Sequence, residues 1–348
     1  SQVMSGVHDF TQSLFNFPKS IGEAVSRGLN AVKQFATESV EAFKSFEDKS
    51  KNLTALTGLK GDDIAYLEQR ARDLAATATD TANEVLDAFT LMGSAKPELL
   101  KDKEALAETT EAALTLAAAA KMDAKSSVES LAATMNQFGA PAAEANRYIN
   151  ALAAGSQAGS AAVTDISKSI VRFGATASAA NLSVEQSVGL IETLADKGIK
   201  GEVAGTALNS ALLKLQVGVD QFNPKIVGME QALDNLAAAN LSTADMVGIF
   251  GRGNVVAGQI LIENRKRFQE LTSAVTGTST AFEQAATNSD TLAVRQKVAE
   301  NTINNVKIVL GQKLMPIVAV FYENVAKFWA MLEPLGDWLA PFLGAVKR

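Results

Sequence analysis

Cysteine is missing from all 348 residues, and histidine occurs once, at His8. Disulfides, thiolate metal ligands and cysteine nucleophiles are thereby excluded, and one imidazole cannot build a zinc centre. A Ser/His/Asp arrangement would have to use His8 close to the first residue, so His8 reads as a solvated helix residue. Proline occurs 7 times and aromatic residues make up 6%. Alanine is abundant instead. It loses the least side-chain entropy in a helix, so helix content should lie far above the usual share of about a third.

Excess positive charge is also lacking. The net charge is -6 and the sequence pI is near 5.1, whereas a surface that binds nucleic acid needs clustered Lys and Arg. No specific nucleic-acid partner is expected. Long hydrophobic runs are absent too. The best membrane candidate, Leu314 to Trp338, carries Glu323, Lys327, Glu333 and Asp337, and its longest uncharged run, Leu314 to Tyr322, falls far below the ~20 residues a span needs. The opening residues lack a charged segment, an apolar segment and a small-residue cleavage site in succession, which predicts no secretory leader. Starting at Ser1 and stopping at Val346-Lys347-Arg348 just after an apolar stretch, the chain reads as a fragment of something longer.

What is present is helical punctuation. Thr81/Glu84, Ser126/Glu129, Ser183/Gln186, Ser242/Asp245 and Thr280/Glu283 each place a hydroxyl residue three positions before an acid or amide, the spacing of a capping box. Gly93, Gly139, Gly174, Gly198 and Gly251 read as helix ends. Short helices joined by short turns follow from this pattern, as in compact α-domains. The fold class is therefore all-α: a compact multi-helix core flanked by long amphipathic N- and C-terminal helices. Residues 1–52 form the amphipathic arm, with Phe17, Ile21, Val25, Leu29, Val32, Ala36, Val40 and Phe43 on one stripe. Residues 53–285 form the core.

Residues 286–348 carry a long helix with apolar residues at Ile303, Val306, Leu310, Leu314, Ile317, Phe321, Val325, Phe328 and Leu332. The steps of three and four sum to an eleven-residue repeat, about 3.67 per turn, which predicts a nearly straight or slightly right-handed helix pairing. A kink is expected near Pro316, where one backbone bond is lost. An exposed stripe of this length needs a partner, either the arm or another copy. A heptad-based scaffold bundle is disfavoured by the eleven-residue phase.

Asp62/Asp63, Glu41/Glu47 and Glu104/Glu108 lie in polar surroundings and read as solvated helix faces rather than acid–base pairs. The cluster from Gly248 to Gly258 lacks the Lys-Ser/Thr of a phosphate loop and reads as a helix–helix corner. Arg252, Arg265, Lys266 and Arg267 form at most a small basic face. Gly155 to Gly159 and Gly201 to Gly205 share the spacing of membrane dimer motifs, but the first reads as a polar, loop-like tract and the second lies beside Lys200 and Glu202. No enzyme, cofactor or metal is expected.

The most specific stretch runs from Gly198 to Leu215. Ser183 and Gln186 cap a helix that ends at Gly198, and a second helix restarts near Gly201 with Ala204, Leu208, Ala211, Leu212 and Leu215 on one face. Gly201 and Gly205 leave room for another backbone. Gly198, Ile199, Lys200, Gly201, Ala204, Gly205, Thr206, Ala207 and Leu208 match a phrase of phage tail tape measure proteins, so the chain resembles the core region of that family from about Leu53 to about Pro334. Glu202 and Asn209 depart from the pattern, where a small hydroxyl residue and a basic one are more usual.

That resemblance implies a structural protein of the virion. It would lie in the lumen of a phage tail, set the tail length, and leave with or ahead of the DNA. Its partners would be tail tube and tail assembly proteins, with self-association, and it would occupy the host cytoplasm during assembly. Transient membrane contact by the full-length protein also follows, since passage of DNA across the inner membrane is ascribed to some members. The alternative from another class is a membrane-active helical protein, a pore-forming or translocation component, for which two amphipathic helices around a core would also serve.

Overall fold

The computed structural model describes residues 34–316 and 318, and among them every regular element is a helix. Two compact units divide the chain. One contains residues 49–299, and the described part of the other contains 34–48 together with 300–316 and 318. The first helix, α1, spans 34–57 and the last, α16, spans 292–316. Between them run α2 (Asp62–Ala75), α3 (Ala82–Ala95), α4 (Lys103–Ala120), α5 (Ala124–Phe138), α6 (Ala145–Ala158), α7 (Val163–Ala179), α8 (Val184–Ala195) and α9 (Gly201–Gln216). The series continues with α10 (Pro224–Val227), α11 (Met229–Ala238), α12 (Thr243–Phe250), α13 (Val255–Glu263), α14 (Arg265–Val275) and α15 (Thr280–Ser289).

Local capping explains several starts. Thr81, Ser183 and Ser242 each accept a bond from the backbone N–H three residues on, and their own backbone N–H groups donate in return to the side chains of Glu84, Gln186 and Asp245. Two expected boxes give way to other partners. At α5 the cap is Asp123, whose Oδ1 accepts from the Ser126 N–H at 2.8 Å; a carboxylate at a helix N-terminus also meets the favourable end of the dipole. At α15 neither Ser279 nor Thr280 caps the helix through its side chain. Instead the Ala281 N–H donates to Asn150 Oδ1 of α6 at 2.9 Å, a cap supplied from 131 residues away.

Glycines divide in the same way. Gly139, Gly198 and Gly251 have φ of 61°, 85° and 76° and end helices as expected. Gly93 and Gly174 lie inside α3 and α7 rather than at their ends. A Cβ on Gly93 would sit 2.7 Å from Leu100 Cδ2, and one on Gly174 would sit 2.7 Å from Gln137 Cβ, so both are close-approach sites. Gly155, read from sequence as part of a loop-like tract, is buried in the last turn of α6.

The 49–299 unit is wider than the expected 53–285 core because its ends are tied down. Lys49 Nζ pairs with Asp87 at 2.7 Å and Ser50 Oγ donates to Glu68 at 2.6 Å. At the other end Asn288 Nδ2 donates to the carbonyls of Ala118 and Ala119 at 2.9 Å. Within the unit α7 packs between α5 and α9, α8 packs on α14, and α15 packs on α4 and α6. Phe89, Phe173, Phe250 and Phe268 are buried there with Leu67, Leu86 and Met92. Lys96 is also buried, its ammonium donating to Asn136 Oδ1 and the Ala140 carbonyl and pairing with Glu98 at 2.6 Å.

In the other unit, helix segment 34–48 meets 300–316 at two small residues. A side chain on Gly311 would run into the Ser39 carbonyl and come within 2.7 Å of Phe43 Cβ. Lys307 Nζ pairs with Glu38 at 2.6 Å beside this contact.

Candidate functional site

The glycine hairpin is built as its sequence suggests and then fastened to its neighbours. At the end of α8 the Gly198 N–H donates to Ala195 O and the Ile199 N–H to Leu194 O, at 2.9 and 3.1 Å. Lys200 is extended and Gly201 takes φ 58°, so the chain turns sharply into α9. Ala204 and Leu208 are buried, and Ser169 Oγ of α7 donates to the Gly201 carbonyl at 2.6 Å. Gly205 faces the α7 backbone itself: an added Cβ would overlap the Ser169 carbonyl and lie 2.8 Å from Ser169 Cα and Arg172 Cβ. Thr206 is exposed and turns its hydroxyl back to Glu202 O at 2.8 Å. The two departures from the family pattern both find partners on α7. Glu202 pairs with Arg172, and Asn209 Oδ1 accepts from the Thr176 hydroxyl at 2.6 Å.

Residues 158–161, joining α6 to α7, are gripped from several sides. Lys200 Nζ donates to the Ser160 carbonyl. Ser160 Oγ donates to Asp196 Oδ1 at 2.7 Å, and Arg267 of α14 spans Asp196 Oδ2 at 2.9 Å and the Ala158 carbonyl at 2.8 Å. Beneath them Glu192 is fully buried, with Oε2 accepting from the N–H groups of Ser160 and Ala161 at 2.7 and 2.9 Å. Any side chain on Gly159 would overlap the Glu192 carboxyl, which explains that glycine.

Electrostatics separate the two carboxyls of this clamp. Burial pushes Glu192 up to about 7, against the pull of the two N–H groups and Lys200 and with a further push from Asp196. Asp196 resists its own burial: the Ser160 hydroxyl and Arg267 hold it below the usual carboxylate range. Sequence inspection missed Glu192, since an acid in the apolar run of α8 looks like any helix-face glutamate. It also missed Glu185, buried but gripped by Arg147 at 2.6 and 2.8 Å, which keeps it below its ordinary value despite burial.

The apolar seam on α16 does not coincide with the face buried inside its unit. Ile303 and Val306 are 54% and 55% exposed, whereas Ile308 is 1% exposed. Leu310 and Leu314 are half-buried. Gly311 lies on the face turned inward, where the Ser39 backbone comes too close for any side chain. Ile317, Phe321, Val325, Phe328 and Leu332 lie outside the described residues, as do the arm positions before residue 34, and the bend expected near Pro316 falls at their edge.

The Gly248–Gly258 cluster is the corner between α12 and α13, where Gly258 lies against the buried ring of Phe250. Arg265 and Arg267 are each paired with an aspartate, Asp234 and Asp196. Among the described residues no group of three or more His, Asp or Glu is placed to hold a metal ion, and no helix is long and apolar enough to cross a membrane.

A family model described as phage-related minor tail protein matches residues 68–300, about two-thirds of the sequence and nearly the whole unit that holds the hairpin and its clamp. The chain belongs to the phage-related minor tail protein family. The chain is also similar to a curated relative, the tape measure protein of Pneumococcus phage Dp-1. The two are 23% identical over 328 residues, covering 87% of this chain and 28% of the relative. The chain thus spans a little over a quarter of the length of that relative. No solved structure matches.

Proposed function

We propose that this chain is the folded core region of a tape measure polypeptide, which sets tail length inside the tail tube and leaves during DNA ejection. The observation that carries the reading is the alignment with the Dp-1 tape measure protein over 87% of the chain, glycine hairpin included. Its role is mechanical rather than catalytic. The carboxylates with displaced proton affinities serve internal bonds at turns and helix ends, and Arg172, Lys200 and Arg267 around the hairpin are tied to acids or carbonyls of the same chain.

Physics suits the assignment. A helix advances about 1.5 Å per residue, so the length of a helical polypeptide converts linearly into distance. A net charge of -6 keeps the surface from adhering to DNA that follows through the same lumen. Tail tube and tail assembly proteins are the partners, reached from the host cytoplasm during assembly. Copies of the chain associate with one another through the exposed seam at Ile303 and Val306.

The test is genetic and microscopic. An in-frame deletion of about 60 helical residues from the gene should shorten tails by about 90 Å, measured by negative-stain electron microscopy. Tails of unchanged length would defeat the ruler assignment.

A further inference from the structure

Glu192 is an unusual investment in a core otherwise held by apolar contacts. Its side chain is fully buried, Oε2 is committed to two backbone N–H groups, and Oε1 is buried with no hydrogen-bond partner. An ionised carboxylate in that position keeps one oxygen without any donor, which is costly in a low-dielectric setting. A protonated one carries no net charge to bury and still offers Oε2 to Ser160 and Ala161. We propose that Glu192 is a proton-operated latch on the turn 158–161, closed when the carboxyl is protonated and loosened when it ionises.

The surrounding charges support this assignment. Asp196, the residue that follows the last of α8, is ionised and faces the same turn through Ser160 Oγ, so its charge opposes a second one at Glu192. Lys200, the charged residue of the hairpin, acts in the opposite sense but spends its proton on the Ser160 carbonyl. Arg267, from α14, is divided between Asp196, the Ala158 carbonyl and Glu270. Among the described residues no cation bonds to Glu192, and burial is the dominant influence.

The sign follows from proton counting. The folded carboxyl holds its proton to about 7, whereas an exposed one releases it near 4.5. Between those values, opening the turn releases a proton. Closure is therefore favoured fully below 4.5 and weakens as pH rises through about 7. The latch sits where α6 and α7 meet the hairpin, so ionisation loosens the joint on which α9 is seated.

The experiment is hydrogen exchange at Ser160 and Ala161 in the full chain from pH 5 to 8.5, corrected for the intrinsic pH dependence of exchange. Protection should fall about tenfold per pH unit up to neutrality and then level off. The Glu192→Gln chain, whose amide oxygen can accept the same two bonds, should show no such slope. A flat wild-type profile, or an equal slope in Glu192→Gln, overturns the latch. Should that variant fail to fold, the carboxyl carbon of Glu192 is titrated by NMR in the unaltered chain. A midpoint near 7 supports the latch and one near 4.5 overturns it. Asp196→Asn should lower the midpoint, a shift that a purely structural role would not produce.

Discussion

Two glycines, Gly205 and Gly311, do the same local job in different surroundings. Each lets a helix meet a serine backbone, that of Ser169 in one case and Ser39 in the other. Around Gly205 the contact is flanked by the buried Ala204 and Leu208, the Ser169–Gly201 bond and the clamp on residues 158–161. Among the described residues, Gly311 is accompanied by the buried Ile308, the Lys307–Glu38 pair, and an apolar stripe that stays more than half exposed at Ile303 and Val306. Close approach of backbones places two helices in contact, and the apolar and polar groups beside it decide how firmly they are held.

Substituting the first glycine should have the largest effect. Gly205→Leu drives a branched side chain into backbone rather than into a side chain that could rotate away, so a loss of about 3 kcal/mol is expected in urea unfolding. Gly311→Leu should cost about 1 to 2 kcal/mol, read as faster amide exchange in 34–48 and 300–316, with the main unfolding midpoint of residues 49–299 unmoved. Equal losses at the two positions would erase the distinction between the two contacts. Lys200→Met keeps the aliphatic stem but removes the bond to the Ser160 carbonyl, and should lower stability by about 1 kcal/mol. Glu202→Ala removes one half of an exposed ion pair with Arg172 and should cost less than about 0.5 kcal/mol. A loss as large as that of Lys200→Met would show that this departure from the family pattern is a fastening in its own right.

Much of the helical punctuation could be read directly because it is local. Thr81/Glu84, Ser183/Gln186 and Ser242/Asp245 complete their bonds within three residues, so the sequence contains both partners side by side. The α15 start shows the limit: its cap comes from Asn150, and no spacing within Thr280–Glu283 could reveal it. Gly93 and Gly174 fail for the same reason, since a stop and a close approach demand the same residue. The seam on α16 is periodic as written, yet periodicity gives a stripe without saying what faces it.

At the hairpin the sequence alone determined the turn, the small face of α9 and the family to which they point, because those depend on φ at Gly198 and Gly201 and on three- and four-residue spacing. It also determined the helical class, through alanine content and caps. Only the tertiary structure decided which backbone Gly205 touches, which carbonyl Lys200 holds, and that Glu192 lies buried against Ser160 and Ala161. A carboxyl's proton affinity depends on the water removed and the charges brought near by distant segments, and neither is written in its neighbours along the chain.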